Sequence, residues 1–193
     1  MKYIIIICTI TTILLTACNN SSTTTTKATD NIVAPPVAPP AGVDVNGNMQ
    51  VTVKGILEHY LHLKNALAAD NSKDAATAGN DLLAVMMKVD QSAMTAGQKK
   101  KYADLADDMK EHAAHIGANG GKIAHQRAHF EMLSTDVYDL VKAFGGGQPL
   151  YKDFCPMANE KVGASWVSET KEIKNPYMGK AMSTCGSVKE EIK

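Results

Sequence analysis

The sequence predicts a mainly α-helical protein, an antiparallel four-helix bundle with a small irregular or β-stranded cap at its C-terminal end. Three observations support this class. The composition is rich in alanine and methionine, with 10 Met, while aromatic residues make up only 5% of the chain. Apolar residues recur at three- and four-residue steps through four successive segments. Helical periodicity stops near Gln148, and the residues that follow are typical of short strands and turns.

Residues 1–17 have the pattern of a secretory signal peptide. Lys2 precedes a short apolar stretch, which is too short and too rich in threonine to favour a permanent membrane span. The stretch ends in Leu15-Thr16-Ala17-Cys18, which resembles the lipobox of bacterial lipoproteins. That resemblance implies cleavage before Cys18 and its acylation, with chains such as palmitate anchoring the protein to a membrane. Because Asn19 follows, it also implies an outer-membrane protein that faces the periplasm. An ordinary signal peptide is the alternative.

Residues 18–50 are predicted to form a disordered tether. This segment is rich in threonine and contains the run Ala34-Pro35-Pro36-Val37-Ala38-Pro39-Pro40. Such a composition buries no core, and the proline pairs keep the chain extended. We therefore expect the folded domain at residues 51–193, held at a distance from the membrane.

The first two helices are predicted at 51–69 and 73–90. In the first, Ile56, Tyr60 and Leu63 recur at helical steps and define one apolar face. A turn with a capping residue, Asp70-Asn71-Ser72, separates it from the second helix. The second helix has its own stripe of alanine, leucine, valine and methionine. We expect the methionines within the helical segments, Met86, Met87, Met109 and Met132, to fill the core.

The third helix is predicted to end at Ala118, and the fourth helix is predicted to span 122–144. Thr95 and Gln98 have the spacing of a capping box at the start of the third helix. Asn119-Gly120-Gly121 breaks that helix, and Gly145-Gly146-Gly147 terminates the fourth. Short loops between four amphipathic helices favour an antiparallel bundle.

The C-terminal region, 148–193, has a different character. Short strands are predicted around 150–154 and 165–168. This region holds both cysteines that remain after the lipobox cysteine and the only tryptophan, Trp166, which we expect to anchor a small β layer. It also holds three methionines, Met157, Met178 and Met182.

Four motifs of this region together resemble an uncharacterised bacterial domain: Phe154-Cys155-Pro156-Met157-Ala158, Gly163-Ala164-Ser165-Trp166, Asn175-Pro176-Tyr177-Met178-Gly179 and Met182-Ser183-Thr184-Cys185-Gly186. That domain of unknown function occurs in lipoproteins and at the C-terminus of periplasmic adaptor subunits of heavy-metal and copper efflux pumps. The resemblance covers about 51–193. It implies metal handling and efflux-pump components as partners.

The cysteines allow two interpretations. In an oxidising compartment, Cys155 and Cys185 are able to form a structural disulfide, which would stabilise the fold by roughly 3 kcal/mol. Alternatively they are thiolate ligands of a soft metal, because thiolates and thioethers select Cu(I). Cys155 and Met157 would share a strand face, and Met182 and Cys185 would share one helical turn. A pair that is a disulfide when empty and a dithiolate when loaded combines both.

The histidines provide a second group of candidate ligands. All six occur in close pairs, His59/His62, His112/His115 and His125/His129. Steps of three or four place both rings of a pair on one helix face, as a metal grip requires. Exposed or core histidines are the alternative, and His112 falls on the apolar stripe of its helix. Of the three pairs we prefer His125/His129, with its i,i+4 spacing.

These patterns predict an envelope lipoprotein that binds copper, mainly as Cu(I), and buffers it or hands it to an efflux system. The predicted metal ligands are Cys155, Met157, Met182 and Cys185, with Met178, His125 and His129 in support. A metal-free interaction module stapled by a Cys155–Cys185 disulfide is the alternative. Nucleic acid is not a predicted partner, because Lys+Arg and Asp+Glu are both 20. Enzymatic activity is not predicted either, since the chain has no nucleophile elbow, phosphate-binding loop or dinucleotide fingerprint.

Overall fold

The computed structural model describes residues 47–192. It confirms the predicted class, because four α-helices are followed by a small antiparallel sheet. The helices are α1 (Gly47–Ala68), α2 (Ser72–Met86), α3 (Ala96–Ala118) and α4 (Ile123–Phe144). The predicted signal peptide, the Cys18 lipidation site and the tether lie outside the described residues, except for 47–50, which already belong to α1. Among the described helices, none is both long enough and apolar enough to cross a membrane.

The α2 helix ends four residues before the predicted boundary at Asp90. Beyond Met86 the backbone tightens, and the N–H of Lys88 donates to the Val85 carbonyl three residues back, at 3.1 Å. A carboxylate oxygen of Asp90 then accepts the N–H of Ser92 at 2.8 Å. Asp90 thus organises a turn, which is the usual role of aspartate outside helices.

Each helix of the bundle packs against the next in sequence, and α4 also contacts α1. The capping box at the start of α3 is present: Thr95 Oγ1 accepts the Gln98 N–H, and Gln98 Oε1 accepts the Thr95 N–H. The α2–α3 interface is close at Gly79, where an added Cβ would lie 2.9 Å from Ile116 Cγ2. Any larger residue at this position would push the two helices apart.

The cap is a three-stranded antiparallel sheet of β1 (Leu150–Cys155), β2 (Ala164–Ser168) and β3 (Ser187–Ile192), in the order β2-β1-β3. The first two strands confirm the prediction, within one residue at their ends. The third was not predicted, because its sequence Ser-Val-Lys-Glu-Glu-Ile is mostly charged. It is an edge strand in which Ile192 is the buried residue, and charged residues are common on edges.

The sheet is attached to the bundle through β2. The backbone N–H of Val167 donates to the Tyr60 hydroxyl at 3.0 Å, and that hydroxyl is 2.9 Å from Ser134 Oγ. Trp166 is 1% exposed, which confirms that it anchors the cap, and its ring packs edge-on against Tyr177. These contacts join the cap to α1 and α4.

Two of the four methionines expected in the helical core are exposed instead. Met86 and Met109 are buried, whereas Met87 is 70% and Met132 is 44% exposed. Met87 lies at the C-cap of α2, where the helix ends. Met132 is one position away from the buried stripe of α4 that includes Leu133. The prediction was therefore wrong for Met87 and Met132.

Two charged groups of opposite sign are buried between α1 and the sheet. Lys64 is fully buried, and its Nζ donates to Glu169 Oε2 at 2.6 Å. Burial lowers the pKa of Lys64, although the hydrogen bond to Glu169 opposes this shift. Asp153 on β1 is also fully buried, and neither carboxylate oxygen has a hydrogen-bond partner among the described residues. Burial raises the pKa of Asp153 to about 7.

Candidate metal centre

Four histidines meet where α3 and α4 form an antiparallel hairpin. His112 and His115 lie on the last turns of α3, and His125 and His129 lie on the first turns of α4. The loop between the helices is short and turns at Gly121, whose φ is 94°. In a helical hairpin, residues at equal distances from the loop face each other across the interface. The two pairs therefore combine into one cluster.

Three of these imidazoles are arranged as in a metal-binding site. One ring nitrogen from each of His115, His125 and His129 lies within 4.8 Å of the others. The rings of His115 and His129 are stacked with centroids 4.3 Å apart, and those of His125 and His129 are 4.6 Å apart. A metal bound by three imidazoles sits about 2.0–2.1 Å from each nitrogen, so small rotations of these rings would close the site.

The fourth histidine supports the half-buried member of the triad. His112 Nδ1 lies 3.2 Å from His129 Nδ1, so one ring donates and the other accepts. If His129 donates from Nδ1, its Nε2 carries a free lone pair. That tautomer is the one that binds a metal, and a partner on the other ring nitrogen is what orients metal-binding histidines.

The electrostatics favour neutral imidazole at His129. Burial lowers the pKa of His129, and repulsion from His115, His125 and His112 lowers it further, while Glu111 acts weakly in the opposite direction. A neutral ring is required for coordination. Glu111 also lies near the cluster's outer edge, with a carboxylate oxygen 3.9 Å from His115 Nε2.

The chemistry of this donor set is selective. Imidazoles suit zinc, copper, nickel and iron, whereas calcium and magnesium prefer oxygen ligands. His115 and His125 are exposed, so a bound ion would keep at least one position open to solvent. Three protein ligands with an open position allow exchange of the metal or of a fourth ligand.

The predicted ligand residues divide into three groups. His125 and His129 lie in the triad. Cys155 and Cys185 are joined by a disulfide with a Cα–Cα distance of 5.7 Å, which is the first of the two interpretations of these cysteines. In this state their sulfurs are not thiolates, so the ligand set built on them stays a prediction for the reduced protein. Met157 and Met178 line one pocket, and Met182 lies in a 3₁₀ turn, Gly179–Met182.

His115 was not among the predicted ligands, although its pair with His112 had been noted. The signal that identifies it is its distance from the Asn119-Gly120-Gly121 loop, which nearly matches that of His125. A core position in α3 was one alternative for His112, which is half-buried and faces His129 across the interface.

Comparison with protein families gives one match. Residues 56–148 match a family model described as "Protein of unknown function (DUF3347)". This segment is therefore a domain of unknown function. It contains all four clustered histidines, whereas β1, β2 and β3 lie beyond its end. No curated protein gives a significant match, and no solved structure does.

Proposed function

We propose that this protein binds a copper ion through His115, His125 and His129, and that it does so in the bacterial cell envelope. The observation that carries the proposal is the convergence of three ring nitrogens within 4.8 Å on one helical hairpin. We propose copper over the other divalent first-row ions because an imidazole site binds Cu²⁺ more tightly than it binds them.

The openness of the site indicates the kind of role. A structural metal is enclosed by four protein ligands, whereas this one would be held by three, two of which are exposed. An ion in such a position is able to leave by ligand exchange. We therefore propose buffering of copper or its transfer to an efflux system, and a binding role in place of a catalytic one.

The oxidation state of the copper that the protein binds depends on whether Cys155 and Cys185 form a disulfide. With Cys155 and Cys185 in a disulfide, the imidazoles at the α3–α4 hairpin are the donors that we propose for copper, and imidazole binds Cu(II) as well as Cu(I). The predicted Cu(I) site of Cys155, Met157, Met182 and Cys185 requires prior two-electron reduction of the disulfide. It remains part of the proposal for the reduced protein.

Location and partners are proposed from the sequence. The lipobox that ends at Cys18 indicates a lipid anchor, and the resemblance of the C-terminal motifs indicates components of a heavy-metal efflux pump as partners. Acylation of Cys18 would keep the copper site at a membrane surface in the periplasm. Mass spectrometry of the protein extracted from membranes would show the acyl chains.

The test is a titration of the purified protein with Cu(II) against a competing chelator. The His115→Ala/His125→Ala/His129→Ala variant should lose binding of one equivalent, and the electron paramagnetic resonance signal of coordinated nitrogen should disappear with it. The matched control is His59→Ala/His62→Ala, because these two histidines form the pair on α1 outside the cluster. Equal binding by the triple variant and the wild type would refute the proposal.

A second function is supported by the disulfide. The Cys155–Cys185 bond fastens the end of β1 to the segment before β3, as expected of a metal-free interaction module. In that case the protein would bind neither Cu(II) nor Cu(I) with useful affinity, and reduction of the disulfide would abolish partner binding. The copper titration distinguishes the two functions directly.

A further inference from the structure

A pocket of about 360 Å³ lies on α4 beside the face that carries the histidines. Its α4 wall contains Ala124 and Ala128, the residues directly before His125 and His129. Its opposite wall consists of two loops of the cap region. Each loop contributes one methionine, Met157 from the loop after β1 and Met178 from the loop before β3. The pocket therefore places two thioethers around one space.

The loop that carries Met157 is held in an unusual conformation. Three consecutive residues, Asn159, Glu160 and Lys161, have positive φ angles of 47°, 52° and 72°. Residues other than glycine rarely have positive φ angles, and several such residues in succession persist only where the surrounding structure enforces them. Here Asn159 Nδ2 donates to Glu131 Oε1 on α4 at 2.9 Å, and the Gly163 N–H donates to the Ala158 carbonyl at 3.0 Å. The loop is thus tied to the wall of the pocket.

The loop that carries Met178 is equally well held. Asn175 is fully buried, and its Oδ1 accepts the N–H of Tyr177 at 2.8 Å and that of Met178 at 2.9 Å. Arg127 on α4 donates from Nε to the Pro176 carbonyl at 2.7 Å. Both methionines are therefore presented by loops that are hydrogen-bonded to α4, one through the Asn159 side chain and the other through the Pro176 carbonyl, which is the kind of support that metal ligands need.

Exposure separates these two side chains from ordinary core methionines. Met157 is 44% exposed although it is apolar, and Met178 is half-buried against the core. A thioether is a soft, neutral donor that selects Cu(I) among biological cations. It needs neither deprotonation nor reduction of a disulfide. The carboxylates of Glu131 and Glu160 also line the pocket, together with Arg127, whose guanidinium is paired with Asp70 at 2.6 Å.

We propose that Met157 and Met178 form a second metal site, specific for a soft monovalent ion such as Cu(I), which is separate from the histidine cluster and independent of the cysteine thiols. The disulfide between Cys155 and Cys185 supports this site in its oxidised form, because it fixes the position two residues before Met157. One ion would bind between the two sulfurs. The site would therefore remain competent in an oxidising compartment.

The test uses the purified oxidised protein with its methionine methyl groups labelled with ¹³C. Ag(I), an air-stable soft monovalent ion, is added to one equivalent. The methyl signals of Met157 and Met178 should shift together and saturate at one equivalent. Met157→Leu and Met178→Leu should each weaken Ag(I) binding by about tenfold or more, since each removes a ligand. Leucine keeps the side-chain volume, so the fold is preserved.

Met132→Leu is the matched control, because Met132 is also 44% exposed and also lies beside α4 residues of the pocket wall. Its substitution should leave Ag(I) binding unchanged. Equal shifts of Met132, Met87 and Met157 would overturn the proposal, because they would show unselective binding to exposed thioethers. Independent titration of Met157 and Met178 would overturn it too.

The same experiment with His115→Ala/His125→Ala/His129→Ala separates the two sites. Retained shifts of Met157 and Met178 in this variant would support a thioether site whatever the outcome of the Cu(II) titration. Loss of both shifts in the histidine variant would refute an independent site, and would leave the histidine cluster as the point of binding. A peptide or apolar partner in the pocket would shift the methyl signals without Ag(I), and would also contradict the proposal.

Discussion

His112 and His129 face each other across the α3–α4 interface with their Nδ1 atoms 3.2 Å apart. This contact joins the two histidine pairs of the hairpin and gives each member a distinct role. Ring nitrogens converge from His115, His125 and His129. His112 orients the ring of His129 through the contact at Nδ1.

Replacement of His112 should therefore weaken metal binding without removing a ligand. His112→Ala leaves His129 Nδ1–H without an acceptor, so Cu(II) affinity should fall about 10–100-fold, the usual effect of losing such a partner. The measurement is the chelator competition described above. His112→Asn, which restores an acceptor oxygen, should recover part of the lost affinity, whereas a purely structural role for His112 predicts equal affinities for the two variants.

Copper affinity should decrease on acidification, because the His129 ring must be neutral to coordinate a metal. Its pKa lies below the ordinary value of about 6.5 because of burial and the neighbouring histidines. Between these two pKa values the unfolded chain binds a proton at His129 and the folded chain does not. The metal-free protein should therefore lose stability as the pH falls through this window.

Denaturant unfolding at pH 7.5 and pH 5.5 measures this loss. His129→Gln should show a smaller drop than the wild type, because glutamine does not titrate. The exposed control His62→Gln removes a histidine outside the cluster, one that is 3.1 Å from Asp74. A wild-type drop equal to that of His129→Gln would contradict the prediction.

Asp153 should have the opposite effect on the pH dependence. Its pKa is raised to about 7 by burial, above the value of about 3.9 expected in the unfolded chain. The folded state thus binds the extra proton between pH 4 and 7, and stability contributed by the neutral acid is lost as the pH rises. The charges of Lys64 and Glu169 act on the pKa of Asp153 in opposite directions, because Lys64 lowers it and Glu169 raises it.

Asp153→Asn isolates this contribution, because asparagine stays neutral at every pH. The free energy of unfolding of the variant, taken relative to that of the wild type, should be higher at pH 8 than at pH 5. Urea unfolding at both pH values measures this difference. The comparison within each pH cancels the histidine effect. A difference between variant and wild type that does not change with pH would show that Asp153 titrates normally.

Loss of the disulfide should lower the free energy of unfolding by roughly 3 kcal/mol, since it closes a long loop of the unfolded chain. The measurement compares the oxidised wild type with Cys155→Ser/Cys185→Ser. Wild-type protein treated with reductant is the control, and it should match the variant. Free thiols in untreated protein, detected by mass spectrometry, would be inconsistent with this prediction.

The helices and most of the sheet were predictable because their signals are local. An apolar stripe, a Thr95/Gln98 capping box and glycine-rich stops each occur within one segment of sequence. Strand β3 gave no such signal, because its side chains are charged and its pairing partner β1 is distant in the chain. Edge strands are defined by their neighbours more than by their own residues.

The candidate site was only half predictable for the same reason. The spacing of His125 and His129 is visible along α4, but the approach of His115 depends on how α3 packs against it. The prediction that Met157 and Met178 act together with the cysteines remains open. Their shared pocket depends on two loops fixed by Asn175 and Asn159, which no periodicity reveals.

All four clustered histidines lie within one hairpin, and the outermost two are separated by 17 positions. The cap and its disulfide contribute no nitrogen to the triad. An ion held there would connect two consecutive helices through side chains of the hairpin alone. The hairpin therefore lies entirely within the 56–148 segment that matches the family model, and it is separate in sequence from the strands of the cap.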